Sequence, residues 1–316
     1  MSSTAFVFPG QGSQYVGMGQ ALAAASPAAA RVFAEADDAL GESLSGLAWN
    51  GPEEALNRTE QAQPALLATS IAYLEVLRER GGGAEAPRFM AGHSMGQYSA
   101  MVAAGVISLG DGVRLVRERG RQMQASGSGR DGAMAAILGL DDAALPSLVD
   151  RASRHGIFAV ANRNSPGQIV VSGERSAIDA AAEIAKDLGA KRALVLPVSV
   201  AAHSPLMAEA ATAMREILAG VAFRDPEVPL IANADARPLT TAEACRAELV
   251  DHLTAGVDWV RAVESMHAAG VDRFVEVGPG KVLTNLVKRI DPDAATFALD
   301  ESTAPDRFAS PTAVPA

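Results

Sequence analysis

Apolar positions along this chain come in two rhythms that alternate. Residues 4–8 (Thr-Ala-Phe-Val-Phe) form a short apolar run of the kind that makes a buried strand. It stops at Pro9-Gly10-Gln11-Gly12, which forces a loop. Helical spacing follows, with Ser26-Pro27 as the cap and first residue of a second helix. The spacing over 64–80 predicts an amphipathic helix ended by Gly81-Gly82-Gly83. Another short run, Arg88-Phe89-Met90-Ala91, predicts a strand that feeds Gly92-His93-Ser94-Met95-Gly96, with a helix over 97–105 behind it. Strand and helix taking turns in this way predict a parallel α/β sheet.

A helix predicted over 112–126 carries Arg114, Arg117, Arg119 and Arg121, and Ser126-Gly127-Ser128-Gly129 reads as a linker. Past it the pattern changes. Strands are predicted at 133–138, 158–161, 169–172 and 192–197, with helices at 141–155 and 176–188 and a turn from Asn162 to Gly167. This βαββαβ order is the ferredoxin-like arrangement. The expectation is therefore an α/β-hydrolase-like domain, residues 1–129 and 198–298, into which a ferredoxin-like domain, 130–197, is inserted. The returning segment reads as a loop at 198–203, helices at 205–219, 242–253, 259–269 and 281–289, and strands at 230–232 and 274–277. Residues 299–316, rich in Ala, Pro, Ser and Thr, read as a flexible tail.

Composition narrows the function. With 316 residues, 48% of them hydrophobic, the chain can bury a large core. Its 27 basic and 37 acidic residues leave a net charge of −10, which argues against nucleic-acid binding because that needs a basic face. Any anionic ligand has to be met by local arginines. A lone cysteine, Cys245, permits no intrachain disulfide and fits a reducing compartment. No signal-like or membrane-length apolar run is apparent, so a cytoplasmic, soluble monomer without membrane contact is expected.

Gly92-His-Ser-Met-Gly96 has the G-x-S-x-G form of a nucleophile elbow, set between a predicted strand and helix. A serine hydroxyl needs a base, and the chain offers His93, His155, His203, His252 and His267. His93 adjoins the serine and suits packing, while His155 and His267 sit near predicted helix ends. His203 lies in the loop that returns from the insert, which makes it the candidate base. No acid between Ser94 and His203 sits at a main-sheet strand end, so a Ser–His dyad steadied by a backbone carbonyl fits better than a triad. The Met95 amide and a donor from the Gln11 loop are candidates for the oxyanion.

These features occur in one order with Phe8-Pro-Gly-Gln-Gly-Ser-Gln14, Arg119-Gly120, Gly132-Ala-Met-Ala-Ala136 and Val277-Gly-Pro-Gly280. Together they resemble the malonyl-CoA:acyl carrier protein transacylases of fatty-acid synthesis and the related polyketide synthase acyltransferases, over residues 4 to 298. The resemblance implies ping-pong malonyl transfer to a carrier-protein phosphopantetheine thiol with no cofactor. In it Ser94 is the nucleophile, His203 the base and acid, Gln11 and Met95 the oxyanion donors, and Arg119 the partner of the malonyl carboxylate. His93, Asn162, Ala202 and His252 would line or support the pocket. Arg114, Arg117 and Arg121 face mostly elsewhere by helical spacing and are candidates for coenzyme A phosphates.

Two positions depart from the family pattern. Ala202 stands where many malonyl-specific polyketide acyltransferases carry Phe and stand-alone enzymes usually carry Ser, which leaves room for an α-substituted malonyl group. His252 stands where glutamine is usual. If only its backbone carbonyl matters, the exchange is harmless, and that is the expectation. Because the carrier protein is acidic, Lys191, Arg192, Lys281, Lys288 and Arg289 are candidate docking cations. A discrete polyketide acyltransferase, a serine hydrolase and a non-catalytic carrier-binding module are the alternatives.

Overall fold

The computed structural model describes residues 3–80, 86–127, 131–196, 198 and 200–299. Its strands, in chain order, are β1 (Thr4–Phe8), β2 (Phe89–Gly92), β3 (Gly132–Leu138), β4 (Phe158–Ser165), β5 (Gln168–Glu174), β6 (Arg192–Val195), β7 (Leu230–Ile231), β8 (Pro238–Leu239), β9 (Val257–Asp258), β10 (Arg273–Glu276) and β11 (Ala295–Ala298). One sheet runs β11-β10-β1-β2-β7-β8 and is parallel except for the β7–β8 hairpin. The other runs β6-β3-β5-β4-β9. Its first four strands are antiparallel and stand in the 4-1-3-2 order of a ferredoxin-like sheet. The fold is thus α/β with two mixed sheets.

The parallel sheet is buried on both faces. Phe6, Phe8, Met90 and Val275 point into one core and Ala5, Val7, Ala91 and Phe274 into another, so β1 and β2 read as apolar runs without alternation. Across the first core lies α1 (Thr59–Glu79), which corrects the prediction over 64–80. This helix starts earlier, passes through Pro64, and is buried at every position from Ala62 to Leu77 except Glu75. It is a central helix, not an amphipathic one. Ala-rich composition lets its neighbours approach on all sides, while buried Gln63, Thr69 and Ser70 disguise the burial in a hydropathy pattern. Against it packs α2 (Leu109–Gly127), the arginine-bearing helix.

Other departures have local causes. Gly127 completes α2 and so belongs to no linker, whereas Ser128 and Gly129 lie outside the described residues, as do Gly81-Gly82-Gly83, Pro197 and residues 300–316. The turn expected from Asn162 to Gly167 is mostly strand, because β4 runs on to Ser165 through two register shifts that break its alternation. β9, far along the sequence from the predicted insert, joins the second sheet beside Asn162 and Arg163. Two-residue strands carry no readable period, and β8 and β9, unlike β7 at the apolar run 230–232, have no apolar run to mark them. The short helix Leu44–Asn50 and strand β11 were also unpredicted. Among the described residues, no helix is long and apolar enough to cross a membrane.

The junction of β2 with α3 (Gly96–Ala103) is the tightest backbone approach that the site depends on. A Cβ on Gly92 would lie 2.0 Å from the Gly96 carbonyl, and one on Gly96 would lie 2.2 Å from the Phe8 carbonyl oxygen. Only hydrogens fit there. Ser94, between them, is left-handed with φ +53°, a strained setting for a non-glycine residue that the surrounding packing must hold. Gly96→Ala should therefore destabilise the fold by roughly 3 kcal/mol, since backbone on both sides must move. Urea denaturation against the parent protein measures it, and a loss below about 1 kcal/mol would contradict the close approach.

Candidate active site

Three segments meet at the end of β2. The elbow presents Ser94, the loop after β6 presents His203, and α4 (Ala242–Ala255) lies behind both. Ser94 Oγ is 2.8 Å from His203 Nε2, and His203 Nδ1 is 2.6 Å from the His252 carbonyl oxygen. A carbonyl only accepts, so Nδ1 carries the proton and donates it. Nε2 is then a bare lone pair facing the serine hydroxyl, as a general base requires. Among the described residues no carboxylate bonds to this pair. His203 itself is left-handed, φ +58°, and 4% exposed.

Arg119 reaches this pair from α2. Its guanidinium is 1% exposed, donates to Gln63 Oε1 at 2.8 Å and to Ser94 Oγ at 3.2 Å, and lies over the Tyr98 ring at 5.9 Å. Among the described residues it has no carboxylate partner, and its Nε has no acceptor. Such a cation opposes protonation of the groups around it. Burial first, and the Arg119 charge second, push the His203 pKa down to about 3. Burial also lowers His93 and, with the Arg119 charge, takes His252 well below the ordinary histidine value. Burial lowers Arg119 as well, and raises Tyr98 to about 12.

A cavity of about 530 Å³ opens onto the serine and is lined by Gln11, His93, Met95, Arg119, Asn162, Ala202 and His203, among others. The predicted catalytic and pocket residues are thus gathered on one cavity, His252 standing just behind Arg119, whereas the candidate docking cations do not line it. Within the described residues, neither the Gln11 nor the Met95 amide donates a hydrogen bond, which leaves both free for an oxyanion. His93 packs against Trp259 and binds Asn164 Oδ1 through Nε2 at 2.8 Å, so it braces the wall and does not reach the serine.

Arg114, Arg117 and Arg121 are elsewhere. They line a separate surface groove and pair with Asp111, Glu42 and Glu118, so they do not face the serine's cavity. The basic side chain at its mouth is Arg58, which lines it beside Gln14 and Asn57. The Gly278-Pro279-Gly280 turn is structural: a Cβ on Gly278 would strike Pro9 and the Ser70 hydroxyl. Lys191, Arg192, Lys281, Lys288 and Arg289 are all exposed.

Sequence reasoning missed Asn233. Its Oδ1 accepts the Ser94 amide at 2.8 Å and its Nδ2 donates to the Gly92 carbonyl at 3.1 Å, which clamps the elbow. Glu248 in turn accepts the Asn233 amide at 2.6 Å, and its burial raises its pKa to about 7. Gln97 ties Gly92 to Ile231 in the same way. The available signal was an asparagine directly after the short apolar run at 230–232.

The model of the acyl transferase domain family matches residues 5–298. The chain is 48% identical over 304 residues to the malonyl CoA-acyl carrier protein transacylase of Escherichia coli (strain K12), covering 96% of this chain and 98% of that one. The crystal structure of an acyl carrier protein S-malonyltransferase from Vibrio cholerae superposes with a TM-score of 0.93 at 43% identity, covering 96% and 99% of the two chains. A malonyl-transacylase solved in complex with its type II PKS acyl-carrier protein superposes with a TM-score of 0.89 at 45% identity, covering 95% and 96%.

The depressed His203 pKa has a kinetic signature. A base already neutral at mild acidity gives Ser94 no protonation step near the ordinary histidine value of about 6.5. The rate at which a fluorophosphonate modifies Ser94 should stay level from about pH 5 to 8, as kcat/KM-type rates report the free enzyme. A rate that halves near pH 6.5 would contradict the assigned environment.

Proposed function

The chain belongs to the malonyl CoA-acyl carrier protein transacylases of the acyl transferase family, and we propose how its own residues carry the reaction. It moves a malonyl group from malonyl-CoA to acyl carrier protein. In the first half-reaction Ser94 Oγ attacks the thioester carbonyl as its proton passes to His203 Nε2. The tetrahedral oxyanion rests on the Met95 and Gln11 amides, and the coenzyme A thiol leaves with the proton held on His203. In the second, the phosphopantetheine thiol gives its proton to His203, its sulfur attacks the malonyl-Ser94 ester, and Ser94 Oγ takes the proton back. No cofactor enters either step.

The observation that carries this reading is Arg119, a buried guanidinium with no carboxylate partner among the described residues, 3.2 Å from the nucleophile. A free carboxylate on the acyl group would pair with it in two parallel hydrogen bonds. An acetyl group would leave the charge unpaired, so the preference for malonyl follows from the cost of an unmatched buried cation. Ala202, half-buried on the cavity wall, leaves space beside the malonyl α-carbon for a substituent. We keep a polyketide acyltransferase with another extender unit as the second reading for that reason. His93 and Asn162 shape the remaining wall.

We further propose that residues 1–129 with 198–298, and 130–197, are two structural units, and that the enzyme works in the cytoplasm as a monomer. Lys191, Arg192, Lys281, Lys288 and Arg289 would receive the acidic carrier protein. Exposed Leu194 follows Arg192 and exposed Val282 follows Lys281, so each patch also offers apolar surface.

Intact-protein mass after mixing with malonyl-, methylmalonyl- and acetyl-CoA tests the chemistry. A malonyl adduct should dominate, vanish in Ser94→Ala, and move to added carrier protein, while Arg119→Ala should lose roughly a hundredfold of its malonyl preference. Steady release of malonate without an adduct would favour a hydrolase, and a dominant methylmalonyl adduct the second reading. For docking, the double change Lys288→Glu and Arg289→Glu should slow transfer to carrier protein about tenfold while self-acylation from malonyl-CoA holds its rate. Equal effects on both half-reactions would refute that surface.

A further inference from the structure

His252 was expected to matter only through its backbone carbonyl, but its side chain faces Arg119. The imidazole is fully buried, with Nε2 3.3 Å from an Arg119 terminal nitrogen and Nδ1 2.8 Å from the Glu248 carbonyl oxygen one turn earlier in α4. These two neighbours settle the tautomer. Arginine only donates and a carbonyl only accepts, so Nδ1 bears the proton and Nε2 is the acceptor. The bond to Glu248 also fixes the ring's orientation, and Tyr98 closes one side of it in an edge contact at 6.2 Å.

We infer that His252 is a positioning residue for Arg119, holding the guanidinium by a neutral acceptor nitrogen and so setting the preference for acyl thioesters that carry a free carboxylate. The inference rests on Arg119 being the carboxylate's partner. A buried arginine is commonly steadied by an acid, but an acid would cancel the charge that the substrate needs. Here the side chains that accept from the guanidinium, Gln63, His252 and the Ser94 hydroxyl, are all uncharged. They fix its direction and leave its charge unspent. The same residue serves the base through its carbonyl and the arginine through its ring. A side-chain substitution separates these roles, because the carbonyl to His203 remains.

The test compares the malonyl-to-acetyl ratio of kcat/KM in His252→Leu, His252→Gln and Arg119→Ala. Loss of one hydrogen bond to a charged group predicts about a tenfold fall in that ratio for His252→Leu, carried mainly by a higher KM for malonyl-CoA. His252→Gln, whose amide oxygen is again a neutral acceptor, should retain most of the preference. If His252→Leu does not fold, His252→Met carries the same expectation. A ratio within twofold of the parent in the apolar variant overturns the inference, as does an equal loss of malonyl and acetyl transfer, or a glutamine variant no better than leucine. Should Arg119→Ala lose the preference while His252→Leu keeps it, this inference alone fails. Should Arg119→Ala keep it, the carboxylate reading fails as well.

Discussion

An uncompensated positive charge inside a protein is expensive, and this site is arranged around one. Placing Arg119 in the core with no carboxylate beside it among the described residues costs several kcal/mol that the rest of the fold must offset. In return the cavity holds a standing demand for an anion beside the nucleophile. The surrounding titratable groups answer to it. His203 and His252 stay neutral because burial and that cation both oppose a second positive charge. The base is thus ready to accept a proton without first losing one. A substrate carboxylate, once bound, would relieve the same repulsion and make His203 more basic as the serine proton arrives. Binding and base strength would then be coupled through one guanidinium.

That charge acts only because the backbone holds the serine where it can be reached. The missing Cβ at Gly92 lets β2 meet the start of α3, the missing Cβ at Gly96 lets that start meet β1 at Phe8, and Ser94 takes up the left-handed turn between them. Asn233 and Gln97 then bind both sides of the turn with amide groups. Behind them, Glu248 supports Asn233 through its carboxylate and His252 through its carbonyl. One turn of α4 therefore braces Ser94, His203 and Arg119 together. Rigid elements supporting reactive groups at this closeness are what preorganised catalysis needs.

Much of this was legible in the chain, and the reasons differ by residue. β1 and β2 stood out because apolar runs bounded by Pro and Gly have few other readings. Ser94, His203 and Arg119 were placed by motif and order, and the order of strands in the insert followed from its βαββαβ pattern. What stayed hidden depended on distance in sequence. The pairing of β4 with β9, and the reach of Asn233 back to the elbow, join segments with no shared local pattern. Helix α1 was misread because Ala, Ser and Thr do not announce burial. At His252 the sequence marked an unusual residue but could not say where its ring would point.

The second sheet is part of the same machinery. Met134 from β3, Asn162 from β4 and Leu196 just past β6 all line the cavity whose floor is the elbow of the first sheet. The join must therefore keep a fixed distance. Arg163 makes one stitch, bridging Asp258 at 2.8 Å and Asp142 at 3.1 Å beside the β4–β9 pairing. Asn164 makes another by holding His93, the residue next to the nucleophile. The two register shifts in β4 lie where these side chains must turn to opposite partners. Irregularity in that strand is thus what lets it face the cavity with Asn162, the stitch with Arg163 and the elbow with Asn164 in consecutive residues.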